Sequence, residues 1–348
     1  MGGSVVIKYQ ANVDCDVIIP DEAQDWITTV PATRGLSTYS TTLNIAENNS
    51  GEERSCVIKV ASQDDNQLSA EYTIIQNPRC FLYYTSSDGK IVKPAFGATI
   101  VSNTYKDGVG VIEFYAPITT IGGYAFYYCS SLTSVTIPDS VTTIGESAFE
   151  YCRSLTSVTI PDSVTTIGDY AFQGCDSLTS VTIGDSVTTI GYGTFYYCSS
   201  LTSVTIPDSV TSIGECAFYD CYSLTSVTIP DSVTTIGFCV FSGCSSLTSV
   251  TIPDSVTAIG DGAFVYCDSL TSVTIPDSVT SIGVNAFSIC SSLTSVYCKP
   301  TTPPVGNYGM FSDNALGRKI YVPMESVEAY KSASYWSDYA DYIEGYNF

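Results

Sequence analysis

Apolar and polar positions recur with a fixed period along most of the chain. Leu155 follows Leu132 by 23 positions, and the same spacing continues through the leucines at Leu178, Leu201, Leu224, Leu247, Leu270 and Leu293. A weaker copy starts near Val109 and continues with Ile112, Phe114, Ile118, Ile121, Ala125, Phe126 and Cys129. A unit this short cannot bury its own apolar side and has to stack on its neighbours. We therefore predict a solenoid of 23-residue units over residues 109–312.

Each unit begins with the alternation of a β-strand. Val135 and Ile137 are apolar, whereas Ser134 and Thr136 are polar. Because successive side chains of a strand point to opposite faces, the stacked units predict one parallel sheet along the array. Its inner face is a Val/Ile ladder and its outer face is a Ser/Thr ladder.

The rest of the unit predicts a chain that turns back behind this sheet. The turn residues Pro138-Asp139-Ser140 follow the strand, and Gly145 permits a second, tight corner. A short helical or 3-10 stretch then closes the turn. The predicted inward residues of this part are Val141, Ile144, Ala148, Phe149 and Cys152.

The unit resembles the BspA-like, or Treponema-type, leucine-rich repeats of bacterial surface proteins. That family shares the pattern IGxxAFxxCxxLxxVxIPxSV, which is read here from Ile144 through Val164. The resemblance covers roughly residues 109–312. It implies a secreted or surface-anchored protein with a role in adhesion to host proteins or other cells.

Caps are expected at both ends of the array, because an open solenoid exposes an apolar cross-section. In residues 79–108, apolar segments 81–84 and 90–92 flank Ser87-Asp88-Gly89 and predict a hairpin over the first repeat. Residues 313–348 predict a capping strand at 320–322. A helix from Ser326 to Ile343 follows, with Val327 and Tyr330 on its buried face.

Residues 1–78 lack the period and predict a small antiparallel β-sandwich. Alternating segments lie at 5–9, 16–19, 42–45, 56–60 and 72–75, with a central hairpin turn at 48–51. The stretch resembles the immunoglobulin-like BACON domain of gut Bacteroidetes, through Trp26-Ile27, segment 42–45, Asn48, Gly51, Arg54 and residues 72–76. That resemblance implies either carbohydrate or mucin binding or a spacer role. We interpret Trp26 as a buried core residue.

Composition narrows the function. The chain has no histidine, which removes Ser-His-Asp and Cys-His catalytic arrangements and imidazole metal ligands. No GxxxxGK[ST] loop, GxGxxG fingerprint or CxxC pair occurs in the sequence. We expect no enzyme activity, no catalytic residue, no cofactor and no metal site.

Charge narrows the partners. Asp and Glu number 35 against 13 Lys and Arg, so the formal net charge of −22 repels nucleic acid and anionic lipid. No apolar run of about 18 residues is available to cross a bilayer. We expect a monomer outside the cell or on the surface of a bacterium, with its export signal removed. Its expected partners are proteins, glycoproteins or glycans on host or neighbouring cells.

Two repeated residues invite a chemical reading. The cysteine ladder (Cys129, Cys152, Cys175, Cys198, Cys221, Cys244, Cys267 and Cys290) follows a core Phe, so we interpret it as buried, reduced thiols. A single bridge between Cys216 and Cys239 stays open. The aspartate stripe (Asp139, Asp162, Asp185, Asp208, Asp231, Asp254 and Asp277) stacks like charges. Solvent, the following Ser and backbone amides are expected to relieve them, with weakly held calcium as the alternative.

Two surfaces of the solenoid are candidates for binding a ligand. The sheet face presents Thr136, Thr159, Thr182, Thr205, Thr228, Thr251 and Thr274, and the back presents tyrosines, of which Tyr151, Tyr196 and Tyr197 are the candidates. The favoured function is a non-catalytic, adhesin-like binding protein. One alternative is carbohydrate or mucin binding through the N-terminal module with the solenoid as scaffold. A remote alternative is ice binding by the Ser/Thr face.

Overall fold

The computed structural model describes residues 3–9, 15–35, 38–46, 54–62, 69–76 and 79–348. The chain divides into two compact units. The first comprises Met1–Cys80 with Glu113–Pro117, and the second comprises Phe81–Ile112 with Ile118–Phe348.

The first unit is the predicted antiparallel sandwich. Its strands are β1 (Gly3–Tyr9), β2 (Cys15–Ile18), β3 (Ile27–Gly35), β4 (Thr38–Ile45), β5 (Arg54–Ser62) and β6 (Ser69–Gln76), and a 3-10 helix spans Asp21–Ala23. They form two three-stranded sheets, with the orders β1-β4-β3 and β2-β5-β6. Leu43 and Ile45 of one sheet share a core with Cys56, Ile58 and Val60 of the other.

Two details of the predicted sandwich are wrong. Strand β3 was not predicted, because Pro31 interrupts the alternation; the pairing with β4 shifts register there, between Val30 and Thr33. An edge strand with a bulge accommodates a proline. The proposed hairpin turn at 48–51 lies outside the described residues, but β4 and β5 on either side belong to different sheets and are not a hairpin.

The second unit is the solenoid with its caps. Its strands are β7 (Cys80–Ser86), β8 (Ile100–Lys106), β9 (Val109–Phe114), β10 (Thr120–Ile121), β11 (Leu132–Thr136), β12 (Thr143–Ile144), β13 (Ser157–Thr159), β14 (Thr166–Ile167), β15 (Ser180–Thr182), β16 (Thr189–Ile190), β17 (Ser203–Thr205), β18 (Ser212–Ile213), β19 (Ser226–Thr228), β20 (Thr235–Ile236), β21 (Ser249–Thr251), β22 (Ala258–Ile259), β23 (Ser272–Ile275), β24 (Ser281–Ile282), β25 (Ser295–Cys298), β26 (Lys319–Pro323) and β27 (Ile343–Tyr346).

The main sheet has the predicted faces. Strands β13, β15, β17, β19 and β21 pair in parallel, with Ser157 opposite Ser180 and Thr159 opposite Thr182. Val158 is buried, whereas Ser157 and Thr159 are exposed. The Val ladder therefore faces the core and the hydroxyls face outward.

The single continuous sheet is a wrong prediction. Strand β11 pairs antiparallel with β7, while β23, β25, β26 and β27 form a sheet of their own. The structure adds a second parallel ladder that the sequence did not predict, made of the two-residue strands from β10 to β18 and from β20 to β24. Each solenoid turn is thus held to the next along two lines of strands.

A stack of phenylalanine rings runs through the core. Phe149 and Phe172 are fully buried, as predicted, and their rings stack at 5.1 Å with planes 3° apart. The stack continues at each turn from Phe126 to Phe311. It ends in edge-on rings, Phe96 against Phe126 and Tyr339 against Phe311. An edge meeting a ring face is a favoured aromatic geometry, which suits both ends of the stack.

The repeated glycine has a different role from the one predicted. Gly145 does not adopt a left-handed backbone; a Cβ there would lie 2.7 Å from the backbone N of Gly123 in the preceding turn. The equivalent Gly191 would place its Cβ 2.6 Å from the carbonyl carbon of Gly168. This position is therefore glycine because consecutive turns approach closely there.

The N-terminal cap is not the predicted hairpin. Strand β7 already has β11 on one edge and β9 on the other, so no edge is free for residues 90–92, which form no strand. The hairpin of this region instead joins β8 to β9 through Asp107-Gly108, both with positive φ. Asp-Gly is a favoured two-residue hairpin turn. The loop after β7 still covers the first turn, because the Ala95 N–H donates to the Ala125 carbonyl at 2.7 Å.

The C-terminal cap contains the predicted strand and a shorter helix than predicted. A 3-10 helix (Met324–Ser326), the helix α1 (Val327–Ser332) and a second 3-10 helix (Ser337–Tyr342) replace one continuous helix. Tyr335 interrupts it with a φ of 65°. Tyr330 is buried as predicted, but Ile343 begins β27, which extends the parallel sheet beside β26.

Candidate functional site

The sheet-face threonines are all exposed. Thr159, Thr182, Thr205, Thr228 and Thr251 lie in register on five paired strands. Thr136 lies opposite Tyr83 and Thr274 lies opposite Tyr297, so these two stand on other sheets. The structure therefore brings together five of the seven predicted threonines.

A second row of threonines on this side has a structural role. The Thr156 hydroxyl donates to the Thr133 carbonyl at 3.2 Å, and Thr179 repeats this bond to Thr156 at 3.0 Å. These hydroxyls tie one turn to the next. Among the described residues, the Thr159 row makes no such bond, so its hydroxyls are available to solvent or a ligand.

The three candidate tyrosines lie on the back of the solenoid in two groups. Tyr196 and Tyr197 have ring centroids 4.5 Å apart in an edge-to-face arrangement. Tyr151 packs instead against Tyr128 at 4.6 Å, with the Arg153 guanidinium 5.5 Å from its ring. Tyr197 is exposed, whereas Tyr151 and Tyr196 are half-buried.

Many back tyrosines occupy a backbone conformation that side chains rarely adopt. Two positions in each turn have positive φ, and six tyrosines of the solenoid stand there: Tyr124, Tyr128, Tyr151, Tyr170, Tyr197 and Tyr266. Gly174 and Gly243 occupy one of these positions in other turns. The left-handed backbone costs a residue other than glycine roughly 1–2 kcal/mol. Strain retained at exposed positions is a feature of functional surfaces.

These tyrosines line a groove of about 480 Å³ across neighbouring turns. Its aromatic wall consists of Tyr124, Tyr127, Tyr170, Tyr192 and Tyr196, and two carboxylates, Glu146 and Glu150, lie beside them. Of these residues, only Tyr196 was among the sequence candidates. The available signal was that the repeat varies most at the offsets around its short helical segment, where these residues lie.

Hydrogen bonds and partial burial fix the chemistry of the groove. The Tyr124 hydroxyl donates to Glu146 Oε1 at 3.0 Å, and this bond raises the pKa of Tyr124. A hydrogen bond with the Cys216 thiol raises the pKa of Tyr192, and desolvation raises that of Tyr127. The three phenols therefore stay neutral at physiological pH and offer rings and hydroxyls.

The cysteine ladder lies away from this surface. Seven of its eight cysteines are buried, and the Cys129 thiol is half-buried. The Cys175 Sγ lies 3.3 Å from the carbonyl of Phe149, to which it donates, and Cys198 repeats the contact with Phe172 at 3.2 Å. Desolvation raises the pKa of Cys175 far above its ordinary value. Such thiols act as small core residues rather than nucleophiles.

The aspartate stripe is exposed along its whole length. The following serine does not relieve it as predicted, because Ser163 donates to the Val141 carbonyl at 2.7 Å and Ser209 donates to Val187 in the same way. One amide does contribute, since the Asp185 N–H donates to Asp162 Oδ1. In the part of the chain that the structure describes, no three Cys, Asp or Glu side chains converge as a metal site would require.

Trp26 is buried, as predicted, with 6% of its surface exposed. The Arg54 guanidinium covers the ring at 4.4 Å from its centroid and donates to the Ala46 carbonyl. The indole is therefore a core residue. Elsewhere, no helix within the described ranges has the length and apolar character needed to cross a bilayer.

Comparison with known families matches both units. Residues 100–224 and 211–338 match the BspA type leucine rich repeat region, and residues 17–77 match BACON, described as a putative N-terminal binding domain. No curated protein matches the chain.

Several solved bacterial structures are similar to the chain. A leucine-rich repeat protein of T. pallidum is 32% identical over 51% of this chain and 72% of its own, with a TM-score of 0.42. A leucine-rich cell surface protein of Faecalibacterium prausnitzii is 33% identical over 62% of this chain and 66% of its own, with a TM-score of 0.45. A leucine-rich repeat protein of Bacteroides ovatus is 29% identical over 55% and 66%, with a TM-score of 0.39.

Proposed function

The chain belongs to the family of BspA-type leucine-rich repeat proteins, and from this premise we propose that it is a non-catalytic, adhesin-like binding protein of a bacterial surface. Its ligand is a protein, glycoprotein or glycan on a host or neighbouring cell. The contacts lie on the solenoid, and the N-terminal unit acts as a spacer.

The observation that carries this proposal is the aromatic groove on the back. Five tyrosines line it, and further exposed tyrosines such as Tyr128 and Tyr197 stand beside it. Tyrosine is enriched in binding interfaces because it offers a large, amphipathic contact area with little conformational freedom to lose. The two rows of strands behind the groove hold its wall rigid, which lowers the entropy lost on binding.

The sheet face offers less to a protein ligand. It is a row of small hydroxyls with the same residue in each turn, and it lacks a concave feature among the residues of strands β13 to β21. The back combines a concave groove with aromatic rings, which favours it as the contact surface.

Two triple variants of the full chain separate the surfaces. Tyr151, Tyr196 and Tyr197→Ser removes aromatic contacts from the back, whereas Thr159, Thr182 and Thr205→Lys adds charge along the sheet face. Both are screened on a glycan array and on a panel of immobilised host glycoproteins. We expect the tyrosine variant to lose at least tenfold in affinity and the threonine variant to keep it.

The screen also distinguishes the alternatives. A loss confined to the lysine variant would move the contacts to the sheet face. Unchanged binding by both variants would place recognition in the N-terminal unit and refute the solenoid assignment. The buried, Arg54-covered Trp26 argues against a sugar platform there.

Ice binding is a second candidate, favoured by the in-register rows of exposed Ser and Thr on five strands. Thermal hysteresis in a solution of the full chain would support it. A freezing point that follows its melting point would remove it.

A further inference from the structure

The groove on the back combines aromatic rings with unneutralised carboxylates. Tyr124, Tyr170 and Tyr192 belong to three consecutive turns, and the ring centroids of Tyr170 and Tyr192 lie 5.1 Å apart in an edge-to-face arrangement. Glu146 and Glu150 lie in the turn between Tyr124 and Tyr170. Two carboxylates are therefore held beside a wall of aromatic rings.

No basic side chain lines this groove. Among the described residues, neither Glu146 nor Glu150 has a lysine or arginine within ion-pair distance. The nearby Arg153 is directed elsewhere, because its guanidinium lies 3.7 Å from Asp176 and beside the ring of Tyr151. In a chain with a net charge of −22, the negative potential of the groove is not offset locally.

We propose that this groove receives the cationic side chain of a lysine or arginine from the protein ligand, with Glu146 and Glu150 as its counter-charges. The proposal rests on the proposed function, since it identifies what the back of the solenoid recognises.

The chemistry of the walls selects this ligand class. Cations are attracted to aromatic faces, and the attraction strengthens when the cation is desolvated between rings. A carboxylate beside the rings adds a charge-assisted hydrogen bond to an ammonium or guanidinium group. The same two carboxylates repel an anionic ligand such as an acidic peptide or a sialylated glycan.

The polar groups of the groove are poorly placed for a neutral ligand. The Gln173 amide donates to the Tyr151 hydroxyl at 3.0 Å, and the Tyr124 hydroxyl donates to Glu146. Two of the neutral polar groups are thus already paired within the protein, while the carboxylates retain accepting capacity. A donor with positive charge uses what remains.

Glu146 accepts a bond that a partner can replace without loss of fold. It is exposed, and Tyr124 is 48% exposed, so both side chains can reorient around an incoming ammonium group. Isosteric Glu→Gln replacement at 146 and 150 therefore removes charge while retaining shape.

The test uses the full chain and a fluorescein-labelled tetralysine peptide, with its fully Nε-acetylated form as the neutral counterpart. Affinity is measured by fluorescence anisotropy in 20 mM and 150 mM NaCl. We expect tetralysine to bind at least tenfold more tightly than the acetylated peptide. Affinity is expected to fall as salt rises, because the contact is ionic.

Matched variants localise the binding. The double variant Glu146→Gln, Glu150→Gln is expected to weaken tetralysine binding at least tenfold. Its control is Asp208→Asn, Asp231→Asn, which removes the same charge from the exposed aspartate stripe and is expected to change affinity less than twofold. A further variant, Tyr124→Leu with Tyr127→Leu, keeps the charge, removes two rings and is expected to weaken binding at least threefold. Unchanged melting temperatures of the variants show that each has folded.

Each contrary result overturns the proposal. Undetectable tetralysine binding in 20 mM NaCl refutes it, and so does an equal loss in the glutamate and aspartate variants, which indicates attraction to the overall negative charge. If the Glu146→Gln, Glu150→Gln variant still binds the glycoprotein found in the screen, the cationic groove is wrong while the adhesin role stands. If the tyrosine triple variant also retains that binding, the back surface itself is wrong.

Discussion

Raising the pH from 8 to 10 is expected to destabilise the solenoid through its row of buried thiols. In six successive turns, burial raises the pKa of the ladder cysteine far above its ordinary value of 9.0; these residues are Cys152, Cys175, Cys198, Cys221, Cys244 and Cys267. In the folded chain these thiols stay protonated at pH 10. In the unfolded chain they ionise above pH 9, which stabilises the unfolded state.

The sign and size of this effect follow from proton linkage. Because the unfolded state binds fewer protons than the folded state above pH 9, the free energy of unfolding decreases as the pH rises. A thiol that titrates at 9.0 only when unfolded loses about 1.4 kcal/mol between pH 8 and pH 10. Six such thiols lose about 8 kcal/mol, which is comparable with the whole stability of an ordinary domain.

Urea unfolding followed by circular dichroism at pH 8, 9 and 10, with a reductant present, measures this loss. The variant Cys198→Ala removes one thiol and is expected to lose about 1.4 kcal/mol less than the parent over the same interval. Tyrosine ionisation affects both proteins equally, so the difference between them isolates the thiol. An identical pH dependence in parent and variant, or constant stability from pH 8 to pH 10, would refute the assignment of these cysteines to the core.

Other predictions concern the core, the stacking and the repeated acidic positions. Phe172→Ala should cost about 3–5 kcal/mol of unfolding free energy in urea, because its ring is fully buried between two others, whereas the fully exposed Leu316→Ala should stay within about 0.5 kcal/mol. Gly191→Ala should destabilise by more than about 1 kcal/mol, since its Cβ would meet the backbone of the preceding turn; a neutral result would contradict the close approach. Cys175 and Cys244 should resist an aromatic disulfide reagent in the native state and react once urea unfolds the chain, and rapid native labelling would count against their burial. Millimolar calcium should raise the melting temperature no more than sodium chloride of equal ionic strength, because the aspartate stripe is spread out along the exposed surface; a larger rise would indicate a specific calcium site.

Some features of the protein followed from the period of the sequence alone. Repetition of Leu155, Phe149 and Cys152 at fixed offsets places each in the same environment in every turn, so the buried core could be predicted residue by residue. The alternation around Val158 likewise predicted which face of the main sheet is exposed. The parts without a period were predicted less well, because short propensity signals decide them; β3 with its proline and the interrupted C-terminal helix are examples.

Other features depended on how the turns stack in space. A period shows which residues are equivalent, but not how far one turn is displaced against the next or which neighbouring strand completes an edge. The antiparallel pairing of β11 with β7 and the close approach at Gly145 therefore required the tertiary structure. The groove required it too, because Tyr124 and Tyr192 are far apart in sequence and meet Glu146 only when three turns are stacked in their native register.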